Sequence, residues 1–341
     1  MKKNMKKRII VIAILFTSKV SFAQDFHLSQ YEMAPQYMNP ALTGVFFGQD
    51  YDYRLGFNFR SQWKSILPKS YSTTALSYDM KLKDKYEKFG IGGFLISNNA
   101  VAGDFKTLTF MLGGSYEIME KNAPHSLTAG VQLGFMNLST PTNDFTFDQQ
   151  YSATAEGGFD ASLDNGENFN RQSIFRFDGN LGVHYKYLEK SSKWHPFGGL
   201  SIYHILRPKE SFTGNNVKIP VRWNFVAGTD YQIDDKWSIT PQLLYMNQAK
   251  AYDFNFGVLA GYNFSERNSV VYKGLFGASY RHKDAVIIHA GINKSNQILR
   301  LSYDVNISSL KTYSRSRGAF EISLLLTAKR GEPIFKSVAS F

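Results

Sequence analysis

The 341-residue chain has no cysteine. That excludes a disulfide framework, a thiolate-held metal and a cysteine nucleophile. Beyond its first residues it also lacks any apolar run near the ~20 residues that a membrane-crossing helix needs. No Gly-x-Ser-x-Gly elbow and no phosphate-binding loop is present. The histidines are His27, His125, His184, His195, His204, His282 and His289, and no two have the spacing of helical zinc ligands. His184 and His289 fall on polar strand faces and read as hydrogen-bonding groups. No catalytic, cofactor-binding or metal-ligating residue can be assigned, and the chain is not expected to be an enzyme. Lys and Arg total 39 against 28 Asp and Glu. The excess is scattered, without the basic helix or finger of a nucleic-acid reader.

What is present begins with a leader. Lys2, Lys3, Lys6, Lys7 and Arg8 precede a short apolar run, Ile9 to Phe16, and Ser21-Phe22-Ala23 supplies small residues for cleavage. This is the pattern of a secretory signal peptide over residues 1–23, with the mature chain starting at Gln24. The leader's six basic residues account for six of the formal +11, leaving +5 on the mature chain.

Thereafter a period of two dominates. From Tyr51 to Arg60, Tyr51, Tyr53, Leu55, Phe57 and Phe59 share one face, opposite Asp52, Arg54, Gly56, Asn58 and Arg60. The same alternation runs through 174–187, 252–264 and 298–307. It predicts about fourteen strands, near 51–60, 71–81, 89–97, 107–118, 126–137, 174–187, 196–205, 222–233, 237–247, 252–264, 274–282, 285–293, 298–307 and 319–329. Each is near the length of a tilted membrane strand. Tyr51, Tyr187, Trp223 and Trp237 mark the ends of apolar faces, as interfacial girdles do, while the opposite faces carry Arg, Asp, Asn and Gly. A soluble sandwich also alternates, but has no use for such girdles. The expected fold is all-β: a transmembrane antiparallel up-and-down β-barrel in the outer membrane, preceded by an irregular segment that plugs or caps it.

Connection lengths agree. The longest, about 138–173, 206–221 and 308–318, all follow odd-numbered strands, as outer loops do. The even-to-odd connections are short and charged. Asp144, Asp148, Asp160, Asp164 and Glu167 in the first long loop fragment a calcium-loop pattern without completing it. The expected organisation is signal peptide 1–23, plug or cap 24–49, barrel 50–330 and tail 331–341. Pro35 and Pro40 exclude a regular helix across the plug. It is expected to sit at the periplasmic mouth, anchored by Tyr31, Tyr37 and Met38.

The opening of the mature chain carries Ser29, Gln30, Pro35, Asn39, Pro40, Ala41 and Gly44. Arg60-Ser61-Gln62-Trp63, Ser77-Tyr78-Asp79, Phe145 to Gln150 and Leu301-Ser302-Tyr303-Asp304 follow. In these elements the chain resembles the PorP/SprF family of type IX secretion membrane proteins of Bacteroidetes. The resemblance implies an outer-membrane barrel that supports secretion or surface anchoring of cargo, gliding adhesins among them. It implies as partners outer-membrane lipid, cargo with a type IX targeting domain and other type IX components. It supplies no catalytic residues. The alternative reading is a passive porin or hydrophobic-solute channel. Eight strands fill their own interior and 16 to 18 leave a water channel, so fourteen alone do not decide between pore and plug.

Overall fold

The computed structural model describes residues 25–47, 51–64, 67, 69–100, 104–120, 122–141, 145–154, 158–160, 162–166, 172–212, 216–267 and 270–331. The expected signal peptide, the tail beyond Gly331, Asp144 and Glu167 lie outside them. The strands are Tyr53–Gln62 (β1), Tyr71–Lys81 (β2), Phe89–Ala100 (β3), Phe105–Glu117 (β4), His125–Ser139 (β5), Ser173–Tyr187 (β6) and Trp194–Tyr203 (β7). They continue with Arg222–Gln232 (β8), Trp237–Gln248 (β9), Ala251–Arg267 (β10), Val270–Arg281 (β11), Ala285–Lys294 (β12), Gln297–Asn306 (β13) and Arg317–Ala328 (β14). Every strand pairs antiparallel with its sequence neighbours, and β1 pairs with β14 from Tyr53↔Ala328 to Gln62↔Ala319, closing the barrel. Closure removes the two edges that an open sheet would leave to aggregate or to stay unpaired in lipid.

The alternation read from the sequence sets which side chains face inward. Arg54, Asn58 and Arg60 of β1 are buried in the lumen while Leu55, Phe57 and Phe59 lie outside. Val183 and Leu301 are 47% and 40% exposed, whereas Arg176 and Asp304 are 6% and 2%. Ring pairs mark one rim, among them Trp194 with Tyr231 at 4.2 Å and Trp237 with Tyr262 at 4.6 Å between centroids. Such pairs suit an interfacial belt.

Connections after odd strands, including 140–172, 204–221 and 307–316, open at one end of the barrel, here the loop end; the other is the turn end. The acidic residues of the first long loop close local turns. Asp160 accepts from the Ser162 backbone and hydroxyl, and Asp164 from the Gly166 N–H. Among the described residues no group of potential ligands gathers for a metal.

Candidate functional site

Residues 25–47 run through the lumen. They make three single turns, Tyr31–Met33, Pro35–Met38 and Pro40–Leu42. Both prolines stand at the first position of a turn, where a missing N–H costs nothing. The regular helix is absent as expected, but the segment is locally helical. Its position corrects the expectation of a cap at one mouth. Asp25 bonds Gln248 and Arg222 at the loop end, while Phe47 packs on His184 near the turn end of β6. The segment thus fills the barrel lengthwise, with its first residue farthest from the start of β1. A fourteen-stranded wall encloses more volume than its own side chains fill, so there is room for a chain. Tyr31, Tyr37 and Met38 are buried, as expected of anchors.

At the turn end the wall is bare where the plug lies on it. A Cβ at Gly130 would meet the Pro40 carbonyl carbon and oxygen at 2.4 Å; one at Gly90 would meet the Thr43 oxygen at 2.1 Å. Asn39 folds its side chain back to accept from the Ala41 N–H (2.9 Å) and donates to the Val183 carbonyl (2.9 Å). Ala41 has no accessible surface. Gly44 has φ of +66°, and a Cβ there would strike the Met80 oxygen at 2.5 Å, so both backbone and space demand glycine. Its N–H donates to Asp79 (2.5 Å), whose carboxylate also takes both arms of Arg54 (3.0 and 2.5 Å). Arg54 then donates to the Leu42 carbonyl (2.9 Å). In mid-lumen Gln36 donates to the Tyr78 carbonyl (3.2 Å) and its own carbonyl accepts from Gln132 (2.8 Å). Tyr203 and Ser201 donate to the carbonyls of Tyr37 and Met38 (2.7 and 3.0 Å).

Toward the loop end a charge cluster grips Ser29 and Gln30. The Ser29 hydroxyl donates to Asp304 (2.7 Å) and accepts from Arg60 (2.6 Å) and Arg281 (2.7 Å). Arg60 bridges Asp304 (2.9 Å) and Glu321 (3.2 Å), and Arg281 also reaches Asp304 (3.1 Å). Glu321 accepts the backbone N–H groups of Ser29 (2.8 Å) and Gln30 (3.0 Å). Gln30, fully buried, donates to Ser302 (3.1 Å) and to the Glu321 carbonyl (3.1 Å). Arg281 also reaches Asp284 (2.9 Å) and Asp253 (3.7 Å), so both buried guanidinium groups are paired with carboxylates. A further lock holds Asp25 between His204 and Arg222 at 2.7 Å each, with Asp178 behind His204. Burial alone would raise the Asp25 pKa, but His204 and Arg222 hold it well below the usual carboxylate range. Burial would lower that of His204, beyond β7, yet Asp25 and Asp178 hold it up to about 9.

The sequence-selected residues therefore divide. Ser29, Gln30, Asn39, Pro40, Ala41, Gly44, Arg60, Asp79 and Asp304 meet at the plug–wall contact, and Pro35 opens a plug turn. Gln62 touches Arg60 at 3.4 Å, and Trp63 packs edge-on against Tyr71 at the rim of an open recess of about 440 Å³ above Phe26 and His27. Tyr78 and Tyr303 face outward, 44% and 43% exposed, and the Tyr78 carbonyl accepts from Gln36 of the plug. Sequence reasoning missed Asp25, His204, Arg222, Arg281 and Glu321. Four of these are isolated charges on strands or in connections, and only the barrel's closure brings them to one plug.

No curated protein matches the chain. Among solved structures it is similar to the toluene transporter TbuX of Ralstonia pickettii, at 12% identity and TM-score 0.49 over 86% of this chain and 92% of that one. It is also similar to the toluene transporter TodX of Pseudomonas putida (10%, 0.46, 89% and 94%) and to the KdgM porin (9%, 0.37, 80% and 98%). The profile described as type IX secretion system membrane protein PorP/SprF matches residues 20–326, and the chain belongs to that family.

Proposed function

We propose that this chain is a plugged outer-membrane component of type IX secretion that docks or anchors cargo, gliding adhesins among them, and is neither a conduit nor an enzyme. In this reading residues 1–23 are removed on export. The mature chain comprises plug 24–49, barrel 50–330 and tail 331–341, with the loop end facing out of the cell. The observation that carries it is the contact of plug and wall: Ser29, Gln30, Asn39, Gly44, Arg60, Asp79 and Asp304 hold residues 25–47 inside the barrel. A porin would keep that path for solute. A closed barrel instead offers its outer rim and lipid-facing wall to other secretion components and to cargo bearing a type IX targeting domain.

The test pairs bilayer conductance of the purified full-length chain with surface display of cargo in cells. The native chain is expected not to conduct, and deletion of residues 26–44 to leave an inserted barrel that conducts and no longer supports display. Steady conductance by the native chain would favour the channel reading. Unaltered display by the deleted form would show that the plug has no part in the function.

A further inference from the structure

The barrel wall steps abruptly at the loop end between β6 and β7. β6 pairs with β5 along its whole length, from Ser173↔Ser139 to Tyr187↔His125. With β7 it pairs only from Leu181↔Ile202 to Lys186↔Phe197. β7 ends at Tyr203, level with the first residue of β8, so the loop-end half of β6 stands above its neighbour. The Gly179 carbonyl on that side accepts from the Ile205 N–H (3.1 Å). Backbone groups in an antiparallel ladder point to alternate sides, so Ser173, Phe175 and Phe177 turn their N–H and C=O the same way. No described residue pairs its backbone with these three.

The side chains beside this edge have a definite chemistry. Phe175 and Phe177 are 53% and 69% exposed and continue an outward aromatic row from Phe135, whose ring lies 5.0 Å from that of Phe175. Next to the edge, a small hairpin pairs Lys209 with Lys218. Its exposed Arg207, Lys209 and Lys218 form no ion pair with any described residue. Glu210 is the nearby acid, and Arg176 takes it at 3.1 Å.

We infer that the open edge of β6 at Ser173–Phe177 accepts an extended segment of a partner protein as an added strand in line with β7. That segment alternates apolar residues, which lie on the Phe175–Phe177 face, with acidic residues that meet the basic hairpin. Main-chain bonds give such additions their affinity and the alternate side chains their specificity. The inference gives the docking reading above a defined place on the molecule and rests on it for biological meaning, but its test is made on the purified chain alone.

The probe is a synthetic peptide alternating Val and Glu, compared with one alternating Val and Lys, each added to the full-length protein in detergent. The Glu peptide is expected to bind and to slow hydrogen exchange at the Phe175 and Phe177 amides. The Lys peptide is expected to bind at least about tenfold more weakly, as is the Glu peptide to Lys209→Glu/Lys218→Glu, since like charges then face each other across the strand. Phe177→Pro removes one outward N–H without touching the β5 ladder and is expected to abolish binding. Phe177→Ala, which keeps the N–H, retains it, and an unchanged heat-modifiable band shows that both variants fold. Three results would overturn the inference: equal binding of the two peptides, full binding by Phe177→Pro, or slow exchange at both amides before peptide is added, which would mean the chain covers its own edge. Disulfide-linked dimers formed through Phe175→Cys would assign the edge to a second copy instead.

Discussion

Replacing Asp304 with alanine isolates what holds the plug. Asp304 is 2% exposed, as are Arg60 and Arg281, and its carboxylate accepts from both guanidinium groups and from Ser29. Without it Arg60 keeps only Glu321, Arg281 keeps Asp284 at 2.9 Å and Asp253 at 3.7 Å, and the Ser29 hydroxyl loses its acceptor. Removing one partner of a buried ion pair costs about 3–5 kcal/mol, because the remaining charge keeps its desolvation penalty. Fourteen closed strand pairings hold the wall, so the cost falls on the plug, the part of the cluster free to leave. At about 1.4 kcal/mol per tenfold, the undocked fraction should rise roughly a hundred- to four-thousand-fold. The chain has no native thiol, so Ala34→Cys, at a position 5% exposed, reports undocking through labelling by a hydrophilic maleimide. Faster labelling in Asp304→Ala, with the folded barrel band retained, is expected. Unchanged labelling would refute the view that this cluster holds the plug.

The other expectations concern wall, contact, orientation and pH. Val183→Arg, on the outward face near mid-strand, should cost about 2–4 kcal/mol and impair assembly; Asn180→Arg, inside beside Gln132, should leave the barrel assembled and loosen the plug, so equal assembly defects would refute the assigned faces. Gly130→Ala should raise labelling at position 34, whereas Gly198→Ala, whose Cβ meets only the Val226 oxygen at 3.5 Å, should not; a reversed order would contradict the close approach of plug to wall. On intact cells Asp160→Cys should label and Asp235→Cys should not, and the opposite pattern would invert the barrel. Because the His204 pKa is raised from 6.5 to about 9, its charged contact with Asp25 and Asp178 should be fully present below pH 6.5 and lost as pH rises through about 9. Conductance should then appear on the alkaline side; a barrel equally silent on both sides of that window would show that the contact contributes nothing.

How much was legible follows from the range of each interaction. Strand number and facing depend on a two-residue repeat, which local sequence carries in full: the predicted 71–81 coincides with β2, and 222–233 overruns β8 by one residue. Loop parity needs only chain order. Pro35 and Pro40 announced the absence of a long helix because their limits are covalent. The plug's place was not legible. Whether Ser29 meets Asp304 depends on a wall residue 275 positions away, and that meeting exists only after β1 closes on β14. The inward phase of Glu321 could be read from alternation, but its two backbone partners at Ser29 and Gln30 could not. Nor does local pattern announce that β7 stops short of β6, since that step is a matter of register between strands and not of either strand alone. The sequence by itself determined a barrel with a polar interior, because periodicity is local. Only the tertiary structure decided that residues 25–47 of the same chain lie in that interior, because that contact joins segments that share no local pattern.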